Sequence, residues 1–552
     1  MDGSQPTSQL HAEQYRRRLH ALEAQLARLD VLAGRISNVR IVLAIIAVAS
    51  VWWSAQSTTS PAYVWLVPVA LFVAAVIYHS RIRRARARTD RAAAHYRVGL
   101  ARIEDCWSGL GNPGTELDDA HHVYSADLDL FGHGNLFELL STARTRMGER
   151  TLAGWLLSPA PTATVLQRQQ SIAELRDRLD FREGLAVLGE TAEVGVRPEE
   201  LLRWAESPNQ LTQRWILPTA LLLPALLIAA LVYWNVSGMA SPFVVILLLE
   251  LGAVRLLRRR LTEVLGSTEQ AFDRLRLLAD LATRLEREPL DSALSKQLLV
   301  RLSSAGVAAS RAIARLATIV QFIESRRNFI IQVLDLPLLY SVHTALAAER
   351  WRSDHGLAVG AWLDAIGEFE ALISLSAYSY EHPDDPFPEL AEGDASFVAS
   401  ALGHPLLPRA TCVCNDVTIA GATRVLLISG SNMSGKSTLL RTVGINTVLA
   451  MAGAPVRARR LRLSPLQVGT NIRINDSLHE GSSRFYAEIT RLRHLNELAA
   501  REPPLPQLLF LLDEVLQGTN SRDRFIGAQG VIGALIGRGA IGLVTTHDLA
   551  LT

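Results

Sequence analysis

The sequence predicts an α/β phosphate-loop domain at the carboxyl end of a largely helical chain that also carries two membrane-spanning hairpins. Three observations predict it. A glycine-rich loop, "ISGSNMSGKST" (428–438), follows an apolar strand and opens a helix. A second apolar run, "QLLFLLDEV" (507–515), ends in adjacent acids. Upstream, four segments of 13 to 20 residues are almost wholly apolar.

At 552 residues the chain is long enough for two to four units. Hydrophobic residues make up 49% and charged residues 20%, richer in apolar material than an ordinary soluble enzyme. The net charge of +2 argues against a nucleic-acid coat protein. Only two of the 56 basic residues are lysines, Lys296 and Lys436, so a lysine in the glycine loop is informative. Cys106, Cys412 and Cys414 cannot form a disulfide framework, and the Cys-x-Cys pair lacks a metal partner set, so buried reduced thiols are expected. The first forty residues are polar, so no cleavable signal peptide is expected.

Each element follows from its residue pattern. In 1–35, Tyr15, Leu19, Leu22, Leu26 and Leu29 recur at spacings of four and three, which predicts an amphipathic helix with coiled-coil character. The region 36–89 reads as a first hairpin, with apolar segments 41–53 and 62–78 joined by a polar turn. The region 211–262 reads as a second, with segments 215–234 and 242–254. Spanning hydrocarbon takes about 20 residues, so the first and fourth segments need their flanks to complete the crossing. Trp52, Trp53, Tyr63, Trp65, Tyr78, Trp215 and Trp234 stand at segment ends, where interfacial aromatics belong. Arginines flank both hairpins ("RIRRARAR", 81–88; "RLLRRR", 255–260) and are absent from the turns. By the positive-inside rule the hairpins dip outward and the rest of the chain is cytoplasmic, placing the protein in the inner membrane. Glu250 falls inside the fourth segment, where an ionisable group is costly and often functional; it could equally snorkel or pair with a neighbouring helix. Pro218 and Pro224 are expected only to kink the third. A helical segment is predicted over 90–210, with short helices over 125–210, and long, apolar-striped helices over 263–392. The proline-rich break "HPDDPFPEL" (382–390) leads to a final domain, 393–552.

The chemistry lies in that domain. Gly430-x-x-x-x-Gly435-Lys436-Ser437 fits a phosphate loop, whose glycines let successive backbone N–H groups face an anion at a helix N-terminus. Lys436 would reach the β- and γ-phosphates and Ser437 would hold Mg2+. Asp513 would bind the same Mg2+ through water, and Glu514 is placed to orient or deprotonate an attacking water. A further strand, "AIGLVTTH", ends at His547, which can touch the γ-phosphate or that water. Three strand ends thus converge at the carboxyl edge of a parallel sheet, and ATP hydrolysis is the chemistry implied.

These motifs resemble the ATPase domain of the MutS mismatch-repair family. In "SGSNMSGKSTLLRTVG", Asn432 and Met433 occupy the family's Asn-Met positions within the nucleotide-binding loop Gly430, Ser431, Asn432, Met433, Ser434, Gly435, Lys436, Ser437 and Thr438. "DEVLQGTNSRD" resembles its acidic strand and Gly-Thr turn. "GSSRFYAEI" (481–489) resembles the segment whose serine, here Ser483, reaches the γ-phosphate of the opposite subunit. "GHPLL" (403–407) resembles the start of the domain and puts His404 near the base. "DLDLFGHGNLFELL" and "WLDAIGEFEALISLSAYSYEHP" resemble the two ends of the family's helical core, or lever. The resemblance implies an ABC-type P-loop fold behind an all-α core, ATP and Mg2+ as cofactors, a homodimer, and DNA held between core helices.

The departures are as specific. Neither a mismatch-reading domain nor a connector is expected before the core, and Arg484 stands where the family usually has threonine. The chain ends soon after His547, so the ATPase domain is expected to be incomplete at its carboxyl end. Mismatch recognition is therefore not expected. The function implied is a membrane-anchored MutS-type ATPase coupled to DNA binding or repair-type transactions. The alternative is an ATP-driven coupler that moves membrane helices or a protein partner without DNA. A transporter is disfavoured, because the hairpins offer little polar lining beyond Glu250.

Overall fold

The leucine stripe that opens the chain is half-buried along one face of a very long helix. A computed structural model describes residues 7–56, 63–119, 121–188, 198–270, 275–303, 306–431, 434–472, 484–500, 506–516 and 521–546. Two compact units interleave along the sequence: Met1–Thr142, Trp155–Leu188 and Leu375–Thr552 form one, Ala143–Gly154 and Gly189–Ser374 the other.

In the first unit, α1 (Thr7–Gln56) joins the amphipathic stretch and the first apolar segment in one unbroken helix. It lies against α2 (Tyr63–Ile103). Arg16 pairs with Glu104 at 2.6 Å, Arg97 with Glu23 at 3.4 Å and Arg86 with Asp30, which sets an antiparallel register. Exposed pairs of this kind orient more than they stabilise. The polar halves are fixed by a small core of Ala12, Tyr15, Tyr96, Leu100, Leu179 and Tyr380. Toward the far end the surface turns apolar, with Ile45, Val48, Trp52 and Trp53 exposed. Three short helices follow: α3 (Leu136–Leu140), then α5 (Thr162–Arg176) and α6 (Leu179–Val187) after the intervening α4 (Arg146–Leu157).

Among its described residues the second unit contains helices and connecting loops but no strand. It holds α7 (Pro198–Glu206), α8 (Ile216–Ser237), α9 (Ser241–Gln270), α10 (Leu275–Glu286), α11 (Ala293–Leu302), α12 (Ala309–Ser325), α13 (Phe329–Leu338) and α14 (Tyr340–His355). Within the region expected to form long striped helices, the chain breaks between α12 and α13 at Asn328, whose side chain caps α13 by accepting from the Ile330 N–H at 3.0 Å. Pro224 sits inside α8 and cannot donate to the carbonyl four residues back; the His343 ring meets that carbonyl, on Ala220, at 3.0 Å instead. Glu250 neither snorkels nor pairs: it is fully buried, and neither carboxylate oxygen has a hydrogen-bond partner among the described residues. By length and composition α1, α2 and α8 are apolar enough to cross a membrane. The apolar part of α9, cut short by Arg255, does not reach that length alone.

α15 (Val359–Glu381) leads the chain back to the first unit. The proline-rich break after it is packed. Asp385 is buried, accepts from the Tyr378 hydroxyl at 3.1 Å and pairs with Arg409 at 2.8 Å, and β1 (Glu389–Leu390) joins a sheet. That sheet runs β1, β5 (Arg460–Leu463), β2 (Phe397–Leu402), β3 (Asn415–Ile419). The second sheet is wholly parallel, in the order β4 (Val425–Ser429), β8 (Ile541–Thr546), β7 (Gln507–Asp513), β6 (Leu466–Asn471). Its central strands β7 and β8 are largely apolar and buried, and α16 (Lys436–Ala452), α17 (Arg484–Ala499) and α18 (Ser521–Gly537) pack against the sheet or one another. The three cysteines are free, but Cys106 and Cys414 are exposed in loops rather than buried.

Candidate functional site

The parallel sheet builds the site by register. β8 lies between β4 and β7, pairing Ser429 with Thr546 and Asp513 with Thr545, so the strand ends carrying the loop and the acids open on one edge. Gly435, at φ +87°, is the N-cap of α16, a conformation that costs an L side chain strain. Gly444, two turns into the helix, allows the close approach: a Cβ there would stand 2.7 Å from both Leu128 and Leu511.

Within the loop, the Lys436 ammonium turns back and donates to the carbonyls of Gly430 at 2.7 Å and Ser431 at 3.0 Å. Ser431, Ser434, Gly435 and Thr438 are exposed around it, and Ser437 is half-buried. The Ser437 hydroxyl donates to Asp513 Oδ2 at 2.5 Å, joining residues 76 apart in sequence. Thr545 donates its hydroxyl to the other oxygen, Oδ1. Its Oγ1 also accepts from the Glu514 N–H at 3.1 Å, and its carbonyl accepts from the same N–H at 3.3 Å. Thr545 was not singled out by sequence; its position before a strand-ending His is the only local cue. Glu514 itself takes φ +48°, uncommon for a side-chain-bearing residue, which turns the chain sharply after the strand.

Asn432, Met433, Ser483 and His547 lie outside the described residues. The helix following Ser483 is informative nonetheless. Glu488 on α17 is buried and accepts from the Leu516 N–H at 2.6 Å, two residues beyond Glu514, and from Asn471 at 3.4 Å. The segment after Ser483 is thus bonded to the turn after Glu514. His404 is buried, with Nδ1 accepting from the Leu406 N–H at 3.3 Å and its carbonyl accepting from Arg457 at 2.7 Å. Burial, and then the nearby Arg441 and Arg457 charges, lower its pKa to about 4, which keeps the ring neutral at physiological pH.

Asp127 is another site-supporting residue that no local sequence pattern marks. It is fully buried and accepts from Thr470 Oγ1 at 2.6 Å and the Ile472 N–H at 3.0 Å, with Arg491 at 3.0 Å. Arg441 pairs with Asp129 at 3.1 Å. The "DLDLF" segment is therefore docked on β6, α16 and α17. Asp127→Ala should lower stability by about 3–5 kcal/mol, the usual cost of stranding one member of a buried pair; thermal unfolding with and without the substitution checks it.

A hydroxyl and a carboxylate oxygen at one point, beside a lysine and a helix N-terminus, are the hard donors that fit Mg2+ and the groups that fit a polyphosphate. The fold and site define a P-loop nucleotide-binding domain. Residues 426–552 match the family model of MutS domain V. The chain is 38% identical over 145 residues to Endonuclease MutS2 of Thermus thermophilus, covering 26% of this chain and 18% of that protein. It is 38% identical over 172 residues to DNA mismatch repair protein MutS of Brevibacillus brevis, covering 30% and 19%. It is 32% identical over 226 residues to DNA mismatch repair protein MutS 2 of Halobacterium salinarum, covering 40% and 24%. Each match thus spans under a quarter of the relative's length. Over residues 426–552 the chain is thus similar to MutS domain V.

Proposed function

We propose that this protein is a membrane-anchored MutS-family ATPase that binds and hydrolyses ATP with Mg2+ as a homodimer, coupled to DNA binding or repair-type transactions. The observation that carries the reading is the Ser437–Asp513 contact of 2.5 Å beside Lys436 at the carboxyl edge of the parallel sheet. Bound Mg2+ would neutralise charge on the β- and γ-phosphates, with Ser437 and Asp513 holding it. Lys436 exchanges its two loop carbonyls for phosphate oxygens, and the exposed backbone around Ser434 and Gly435 receives the rest of the anion. Glu514 takes the proton of the attacking water, held in place by Thr545 on its N–H. His547 is the second candidate beside that water, and His404 flanks the base as a neutral ring.

Ser483 acts across the dimer on the partner's nucleotide. Ser483→Ala should reduce turnover of the dimer and leave nucleotide binding by each chain unchanged; a monomer that hydrolyses ATP at the full rate would refute the trans role. The membrane reading rests on the apolar helices and the arginine distribution. It places both hairpins in the inner membrane, α9 completing the second, with the ATPase domain cytoplasmic.

A second reading, an ATP-driven coupler without DNA, is favoured by one observation. The Arg409 N–H donates to Asp105, just past the end of α2, at 2.8 Å, and Arg409 also pairs with Asp385, so the apolar hairpin's helix is bonded directly to the ATPase domain. ATP turnover of the full chain with and without duplex, branched and mismatched DNA separates the two. Stimulation by a DNA structure supports the first reading; neither binding nor stimulation by any of them supports the coupler.

A further inference from the structure

We propose that α13 is a membrane element in its own right: a short re-entrant helix that seats the second unit in the headgroup layer beside the second hairpin. The inference rests on the membrane reading of that hairpin and adds a contact which the sequence pattern does not announce.

The sequence of this stretch is "NFIIQVLDLPLLY" (328–340). No residue of α13 is buried; Phe329 is 76% exposed, Ile330 64% and Val333 59%, with Leu334 and Leu338 also exposed. Side chains of this size clustered on one short helix are a liability in water and mark a contact surface. Ten residues of helix span about 15 Å, half of a ~30 Å hydrocarbon layer, so α13 cannot cross and must dip or lie flat.

Its ends are built for a dip. The axis turns by 82° between α13 and the helix that starts at Tyr340, through Pro337 and a left-handed Leu339 at φ +46°. The Tyr340 hydroxyl meets Ser325 Oγ at 2.7 Å and donates to the Phe322 carbonyl at 3.0 Å, so the chain leaves and returns at one point. The polar groups are spent locally. Asp335, the one acid on the helix, accepts from both the N–H and the hydroxyl of Ser341 at 2.7 Å, capping α14. Backbone and acid satisfied in this way leave an apolar face compatible with lipid.

Position supplies the partner. α13 packs against α8 and α9, the proposed second hairpin. The bond from His343 to Ala220 sets the first turns of α14, and hence α13, at the end of α8 where Arg214 and the run Arg258, Arg259 and Arg260 flank the hairpin. Arg326 and Arg327 directly precede α13. An apolar helix with cations at its edge, continuous with an apolar hairpin, fits a bilayer surface carrying anionic headgroups.

The test uses the full chain in vesicles of phosphatidylcholine and phosphatidylglycerol, in a Cys106→Ser, Cys412→Ser, Cys414→Ser background. A fluorophore sensitive to polarity is attached at Val333→Cys, at Leu231→Cys in the hairpin, or at Leu357→Cys, which is 98% exposed. We expect the Val333 probe to be quenched by nitroxide-labelled lipid and several-fold less by iodide than the Leu357 probe. If the Leu231 probe is quenched by lipid while the Val333 probe is quenched only by iodide, the inference fails and the hairpin reading stands. If the Val333 probe is shielded from both quenchers, a second copy or another protein covers the face, and the inference fails. If no probe meets lipid, the hairpin reading fails and takes the inference with it. Ile330→Cys repeats the measurement should the Val333 variant not insert.

Discussion

Glu514→Gln is expected to bind ATP as the unaltered protein does and to lose roughly 10²- to 10⁴-fold in turnover, the usual contribution of a positioned general base. The substitution keeps the size of the side chain and removes its ability to take a proton. The backbone that aims it is fixed independently, by the Glu514 N–H bonds to Thr545 and by the Leu516 N–H bond to buried Glu488. Loss of turnover with binding retained therefore reports the carboxylate and not a collapsed loop. Equilibrium binding of a fluorescent nucleotide, alongside phosphate release, separates the two quantities; unchanged turnover would remove Glu514 from the chemistry.

Lys436→Ala is expected to fail one step earlier. The ammonium is held over the mouth of the loop by the carbonyls of Gly430 and Ser431, a neutral and replaceable pair of acceptors. Phosphate oxygens are stronger acceptors, and hydrogen bonds to charged groups contribute about 1.5–3 kcal/mol each. Nucleotide affinity should fall by roughly 10- to 100-fold and turnover with it. Comparing the two variants in one binding assay makes each the control for the other, since only Lys436→Ala should lose the nucleotide.

The parts of the site that were legible are those whose chemistry forces residue types into a contiguous run. A phosphate cradle needs its glycines, lysine and serine within one strand–loop–helix, so Gly430 to Thr438 could be read directly. Asp513 and Glu514 follow an apolar strand for the same reason. What binds these pieces together was not legible, because it is non-local. Asp127 meets Thr470 across 343 residues, and no spacing rule connects them. Thr545 became visible only when β8 was placed between β4 and β7.

The helical half shows a different limit. The leucine spacing of α1 was clear, yet its continuity through Gln56 was not, since the amphipathic and apolar stretches look like separate objects in sequence. α13 is hard to tell from a neighbouring stripe in sequence because Phe329, Ile330, Val333 and Leu334 continue a helical period; Asn328 and Pro337 mark its ends. The break at 382–390 looked like a linker from its prolines, whereas Asp385 and β1 pack it into the ATPase domain.

In the proposed function one chain joins an ATPase site to the bilayer, with the site on the arginine-rich side. Its most direct test is where the Glu514-dependent ATP turnover resides: in sealed inverted membrane vesicles, in sealed right-side-out vesicles, or in the supernatant after sedimentation. Turnover is expected in inverted vesicles, abolished by Glu514→Gln and latent in right-side-out vesicles until they are opened. Turnover recovered in the supernatant, or equal in both sealed orientations, would contradict that function.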